Sequence, residues 1–263
     1  MGSWALAAWT FVAMLAFMTG VWVVSVRLRN ASIVDVVWGP TFLVGAAVGL
    51  AVGPGVFERR ALVFGLVAVW AIRLAVHIGR RNAGRPEDFR YVAFREKYGP
   101  DRYWWVSLFQ VFWLQATFAW IVALPVTAAM ASPTPDGLAF TDVLGALVWA
   151  VGFGFEAIGD AQLSAFKADP ANAGTVMDRG LWGWTRHPNY FGEAVLWWGI
   201  GVIALGTEWW WAGLVGPAFI TFLLVRVSGV AMLEKTIGSR RPGYAEYVAR
   251  VPAFFPRPPR RRP

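Results

Sequence analysis

An all-α integral membrane protein of about seven transmembrane helices is the fold class this sequence predicts, with its N-terminus outside and its C-terminus cytoplasmic. Three observations predict it. Hydrophobic residues make up 57% of the 263-residue chain and charged residues only 15%, whereas soluble domains carry about 25% charged residues. Seven apolar runs approach or reach the roughly 17–25 residues that cross a bilayer. Basic residues, finally, collect between alternate runs, as positive-inside sorting requires.

The first run, residues 4–26, lacks a basic segment before it and is followed by Arg27 and Arg29; it reads as a membrane helix and not as a cleaved leader. The second, 32–52, stops before Pro54 and carries one carboxylate, Asp35, among Ile33, Val34, Val36, Val37 and Trp38. The third, 61–79, places Arg73, His77 and Arg80 on one face near its end. Residues 86–95 interleave aromatic and basic side chains, the pattern of a segment lying on a membrane surface. The fourth run, 105–131, ends before Pro133 and Pro135, and the fifth, 142–166, ends before Pro170. The sixth and seventh, 190–207 and 209–231, are parted only by Thr207-Glu208, which suggests a tight hairpin.

Seven spans put residues 27–31, 80–104, 167–189 and the tail from 232 on one side, with 20 of the 24 basic residues; the other side has Arg59 and Arg60 alone. The net charge of +8 therefore follows membrane topology, and nucleic acid is not an expected partner. The Pro/Arg tail, 256–263, reads as disordered and drawn to anionic headgroups. Many of the 17 tryptophans flank the runs, where indoles anchor helices at the interface. With no cysteine and only His77 and His187, thiolate and multi-histidine metal sites are excluded, and no metal is expected. The chain, 1–263, reads as a single transmembrane domain.

Polar residues inside membrane spans are functional candidates. In the fifth span Glu156, Asp160 and Lys167 are four and seven residues apart and share a face, while Gln162 lies off it. They either pair with arginines from other helices or accept hydrogen bonds from ribose hydroxyls or an amide, with Lys167 meeting a phosphate. Asp35 is a general acid, a substrate-orienting group, or one half of an ion pair with Arg27 or Arg29. Tyr91 is the candidate proton donor of the surface segment. The densest cluster runs from Arg179 to Glu193: Arg186 and His187 precede Pro188 at a helix start, a natural anion site. Asn189 and Glu193 then stack on one face. Arg226, Ser228 and Glu234 lead to a short amphipathic helix around Gly243 to Tyr247. No soluble cofactor fingerprint occurs, so a nucleotide would bind between helices.

Gly180-Leu181-Trp182, Arg186-His187-Pro188-Asn189-Tyr190-Phe191-Gly192-Glu193, the late Glu234 and Tyr244-x-x-Tyr247-x-x-x-Val251-Pro252 together resemble the C-terminal domain of steroid 5α-reductases. The likeness covers about 140–256 and is closest to bacterial proteins of that superfamily, which implies a multi-pass protein of the bacterial cytoplasmic membrane. It implies a seven-helix fold with NADPH in a cytoplasm-facing cavity. It also implies cofactor-binding roles for Glu156, Asp160, Lys167, Arg186, His187, Asn189, Tyr190, Glu193 and Glu234. The family's asparagine at the first of these positions is Glu156 here. The family's Gln-Glu pair in the second helix is absent; Asp35 is the nearest substitute and Tyr91 the matching tyrosine, so these two are the catalytic candidates. The implied activity is NADPH-dependent reduction of an enone or other lipid-like carbon–carbon double bond, with membrane lipids as surroundings. Isoprenylcysteine carboxyl methyltransferases share a similar RHPxY-like element, which makes S-adenosylmethionine-dependent methyl transfer the second reading. A lipid-binding membrane protein without enzymatic activity is the third.

Overall fold

The computed structural model describes residues 2–227, 229–230 and 242–258, and every regular element among them is helical. The helices are α1 (Ser3–Leu28), α2 (Ile33–Val52), α3 (Phe57–Asn82), α4 (Phe89–Tyr98), α5 (Pro100–Ser107), α6 (Leu114–Val122), α7 (Leu124–Ala131), α8 (Phe140–Ala168), α9 (Pro188–Leu205), α10 (Ala212–Phe222) and α11 (Tyr244–Arg250). A π-helical stretch, Leu108–Trp113, joins α5 to α6, and a second, Leu223–Val227, extends α10.

Five described segments are long and apolar enough to cross a membrane: α1, α2, α3, the run Pro100–Val122 and α8. The protein is therefore a multi-pass integral membrane protein. The fourth span differs from expectation. It starts at Pro100, passes through the π stretch and breaks at Ala123 (φ −80, ψ 1). Pro125 explains the break, since it lacks an N–H and its ring crowds the carbonyl four residues earlier. All eight residues of α7 beyond the break are buried. The expected two-residue hairpin after α9 is wider as well, because Gly206 to Trp211 separates α9 from α10.

The chain divides into two compact units, Met1–Asp142 with Ile203–Gly216 and Val143–Val202 with Pro217–Pro263. In the first, α2 packs on both α1 and α3, while α6 and α7 pack on α1 and α2. Indoles mark two levels along α1. Trp4 meets Trp209 and Trp211 near one end, with centroids 4.5 and 6.5 Å away, and Trp22 stacks on Trp104 at 6.2 Å near the other. Eighteen residues of helix separate Trp4 from Trp22, about 27 Å, close to the thickness of a bilayer's hydrocarbon core.

Arg59 is not a solvent-facing topogenic charge; it is 1% exposed and its Nε donates to both oxygens of the fully buried Asp142 at 3.0 and 3.1 Å. Its terminal nitrogens donate to the carbonyls of Ser132, Thr134, Pro135 and Gly137. Asp142 in turn accepts from the Ala139 N–H at 2.7 Å. One guanidinium thus fastens the α7–α8 loop to the first turn of α3.

In the second unit, glycines bring α8 and α9 into backbone contact. Gly145, Gly152 and Gly159 recur every seven residues on α8, and Gly192 and Gly199 do so on α9. A Cβ on Gly152 would lie 2.3 Å from the Leu196 nitrogen, one on Gly192 2.4 Å from the Glu156 nitrogen, and one on Gly199 2.5 Å from the Trp149 nitrogen. Small residues at such spacing let membrane helices approach closely. Gly152→Leu is therefore expected to cost about 3 kcal/mol or more. Gly154→Leu, whose Cβ would meet nothing within 4 Å, should leave the melting temperature near that of the parent. Equal thermal stability of the two variants in detergent would refute this close packing.

Candidate functional site

The α8–α9 contact decides where the second unit's polar side chains go. With Gly192 against the backbone of Glu156 and Gly159 against Pro188 and Asn189, the carboxylate pair of α8 runs alongside the Asn189–Glu193 pair of α9. Asp160 Oδ1 accepts from Asn189 Nδ2 at 3.1 Å. Because a carboxylate accepts, this bond orients the amide, and Asn189 Oδ1 is left as a buried acceptor with no partner among the described residues. Glu156, Asp160 and Glu193 are all buried. An unfilled acceptor beside buried carboxylates suits a ligand bearing hydroxyl or amide N–H donors, since buried polar groups left unpaired are costly.

The Arg179–His187 segment surrounds this pair. Gly180, at φ +58, lets the chain turn sharply over Gln162, whose Oε1 accepts from the Leu181 N–H at 3.0 Å. Trp182 Nε1 donates to the Gly159 carbonyl at 2.9 Å. The C-terminal segment closes over the other side: Tyr247 Oη donates to the Trp182 carbonyl at 2.6 Å, and the wholly buried Thr185 hydroxyl donates to the Phe254 carbonyl at 2.9 Å. Arg186 Nη1 donates to the Val251 and Val248 carbonyls at 2.7 and 3.2 Å. Arg186, expected to grip a phosphate, thus clamps the end of α11. His187 is buried and its ring stacks on Tyr190, with centroids 5.6 Å apart. Lys167 is exposed in the last turn of α8, two turns beyond Asp160. Glu234 and Ser228 lie outside the described residues.

The two catalytic candidates meet in the first unit. Asp35 stands in the first turn of α2 and Tyr91 in that of α4. Tyr91 Oη donates to Asp35 Oδ1 at 2.8 Å, and Arg90 Nη2 donates to Asp35 Oδ2 at 2.8 Å. The cation beside Asp35 is thus Arg90, which replaces the expected Arg27 or Arg29. Asp88 caps α4 by accepting from the Arg90 N–H, and its own N–H donates to Ser32 Oγ at 2.7 Å. The Ala31 N–H donates to Glu87 Oε1, so two loops are stitched together around the cluster. Burial, and then the neighbouring Asp35 carboxylate, hold the Tyr91 phenol well above the ordinary tyrosine range. Burial opposes ionisation of Asp88, but hydrogen bonds from Arg90 prevail and lower its pKa. Tyr91 itself is 4% exposed and packs among Met18, Val34 and Phe112.

Sequence reasoning missed Arg90 as the partner of Asp35, and Gln162 as the anchor of the Gly180 turn. The spacing of Asp88 and Arg90 at a helix start was a legible capping signal. Nothing local marked Gln162.

A family model described as a protein of unknown function (DUF1295) matches residues 21–251. An uncharacterized protein of Schizosaccharomyces pombe (strain 972 / ATCC 24843), C594.04c, is 27% identical over 283 residues, which cover 93% of this chain and 78% of that protein. No solved structure matches the chain.

Proposed function

Since the chain belongs to the DUF1295 family, a steroid 5α-reductase-like family, we propose that it is a membrane-embedded NADPH-dependent reductase of an enone or similar lipid-like double bond. The observation that carries this reading is the unfilled Asn189 acceptor held against Asp160 beside further buried carboxylates. This set of acceptors fits the hydroxyl and amide N–H donors of a dinucleotide. When bound, NADPH supplies a hydride to the β-carbon. Asp160, Asn189, Glu156 and Glu193 would hold its hydroxyl and amide groups. Lys167, with His187, Tyr190 and Glu234, completes the proposed grip. The Tyr91 O–H, which rests on Asp35 Oδ1, would turn to the substrate carbonyl to polarise it, while Asp35, fixed by Arg90, keeps the phenol in place. Seven spans with the N-terminus outside belong to the same reading, supported by the distribution of basic residues.

Thermal unfolding of the detergent-purified protein with NADPH, NADH or S-adenosylmethionine tests it. A ligand that binds only the folded state, at about 100 times its dissociation constant, stabilises by roughly 2.7 kcal/mol. Stabilisation by NADPH is expected. Asn189→Ala should weaken it by about 1–3 kcal/mol, since a hydrogen-bonding site loses its acceptor. Unaltered NADPH affinity in that variant would remove the assignment. One observation favours methyl transfer as the second reading: Arg186 Nη1 is engaged by carbonyls, and S-adenosylmethionine needs no phosphate ligand. Stabilisation by S-adenosylmethionine alone would establish it.

A further inference from the structure

A cavity of about 400 Å³ opens in the first unit where the end of α1 meets the start of α5. It is separate from the Asp35–Tyr91 cluster in its lining, which includes Arg29, Arg95, Tyr103, Trp104, Val26 and Pro100. Two of these side chains are incomplete. The Tyr103 hydroxyl is buried and has no hydrogen-bond partner among the described residues, although the residue is only 3% exposed. Arg29 forms no ion pair or side-chain hydrogen bond among the described residues. By contrast, Arg95 is paired with Glu87 at 2.9 Å, donates to the Arg29 carbonyl at 3.2 Å, and stacks over the Tyr103 ring at 4.5 Å.

The charge left over is therefore that of Arg29. Its backbone sits at φ 50 and ψ 37, the left-handed region, where it ends α1 and donates its N–H to the helix carbonyls. Side chains other than glycine pay about 1–2 kcal/mol for that geometry, yet here it sets an arginine at the cavity rim. The other wall, with Val26, Pro100 and Trp104, is apolar. Trp22 fixes the depth of the site, donating its indole N–H to the Trp104 carbonyl at 2.7 Å and stacking on the Trp104 ring. Such indole pairs settle at headgroup level.

We propose that this cavity binds the phosphate headgroup of an anionic amphiphile, with Arg29 supplying the charge, Tyr103 the hydroxyl donor and the Val26–Trp104 wall receiving the start of an acyl chain. A phosphate ester accepts from both free donors, and the apolar wall distinguishes a lipid from a free phosphate. Neither residue belongs to the proposed reductase machinery.

The test follows the melting temperature of the full-length protein in neutral detergent against added short-chain phosphatidylglycerol, phosphatidylcholine or inorganic phosphate. Phosphatidylglycerol should raise it saturably and the other two should not. Tyr103→Phe keeps the ring under Arg95 and so keeps the fold; it and Arg29→Ala should each raise the half-saturating lipid concentration about tenfold. Equal effects of phosphatidylcholine, or unchanged half-saturation in both variants, would overturn the site. Inorganic phosphate acting as well as the lipid would overturn the amphiphile.

Discussion

Truncation of Arg59 to alanine is expected to destabilise the protein by about 3–5 kcal/mol, because it strands Asp142 as a buried, uncompensated charge. Asp142 has no exposure and, among the described residues, its carboxylate is held by Arg59 and the Ala139 N–H. Four loop carbonyls lose their donor in the same step. Lysine would restore the charge but not the fork that reaches those carbonyls and the carboxylate together. Removing both charges, as Arg59→Met with Asp142→Leu, should cost less than the sum of the single changes, since no charge is then stranded. Thermal unfolding in detergent of the parent and each of these variants measures the effects. A single Arg59→Ala variant within about 1 kcal/mol of the parent would contradict the pairing.

Tyr91→Phe carries the largest expected effect on turnover, about 10²–10⁴-fold, the range for a positioned proton donor. The phenol points at Asp35, and phenylalanine fills the same space among Met18, Val34 and Phe112. NADPH-induced stabilisation should therefore persist while enone reduction is lost. Asp35→Asn should lower the rate less than Tyr91→Phe, because it leaves a hydrogen-bonding side chain beside the phenol. The Tyr91 proton is held above the ordinary range, so ionisation of this group should not produce an alkaline loss of activity below about pH 10. Retention of full activity by Tyr91→Phe would leave Asp35 without an acid to orient and would remove the proposed mechanism.

Some contrasts between the sequence and the structure have plain causes. The first three spans and the fifth were readable because a membrane helix announces itself by uninterrupted apolar length. The fourth run reads as continuous because its apolar length ignores Pro125, yet the backbone cannot. Glu156 with Asp160 and Asn189 with Glu193 were readable as face-sharing pairs, since helical periodicity is local. That one pair runs alongside the other follows from glycines spaced by seven, a signal present in the sequence but interpretable only with the partner helix known. The cluster at Asp35 shows the same limit. A lone carboxylate in an apolar run demands a cation, but Arg27, Arg29 and Arg90 all satisfy that demand on paper.

The sequence by itself determined the class of molecule, a multi-pass membrane protein, and the residues where polarity had to be reconciled with lipid. Both follow from composition and periodicity, which depend only on neighbours along the chain. Only the tertiary structure decided the partners: Arg90 and Tyr91 for Asp35, Asp142 for Arg59, Asp160 for Asn189, and backbone carbonyls for Arg186. Burial makes pairing obligatory, but it does not say with whom. That choice is made where polar atoms from segments apart in sequence come within about 3 Å of one another.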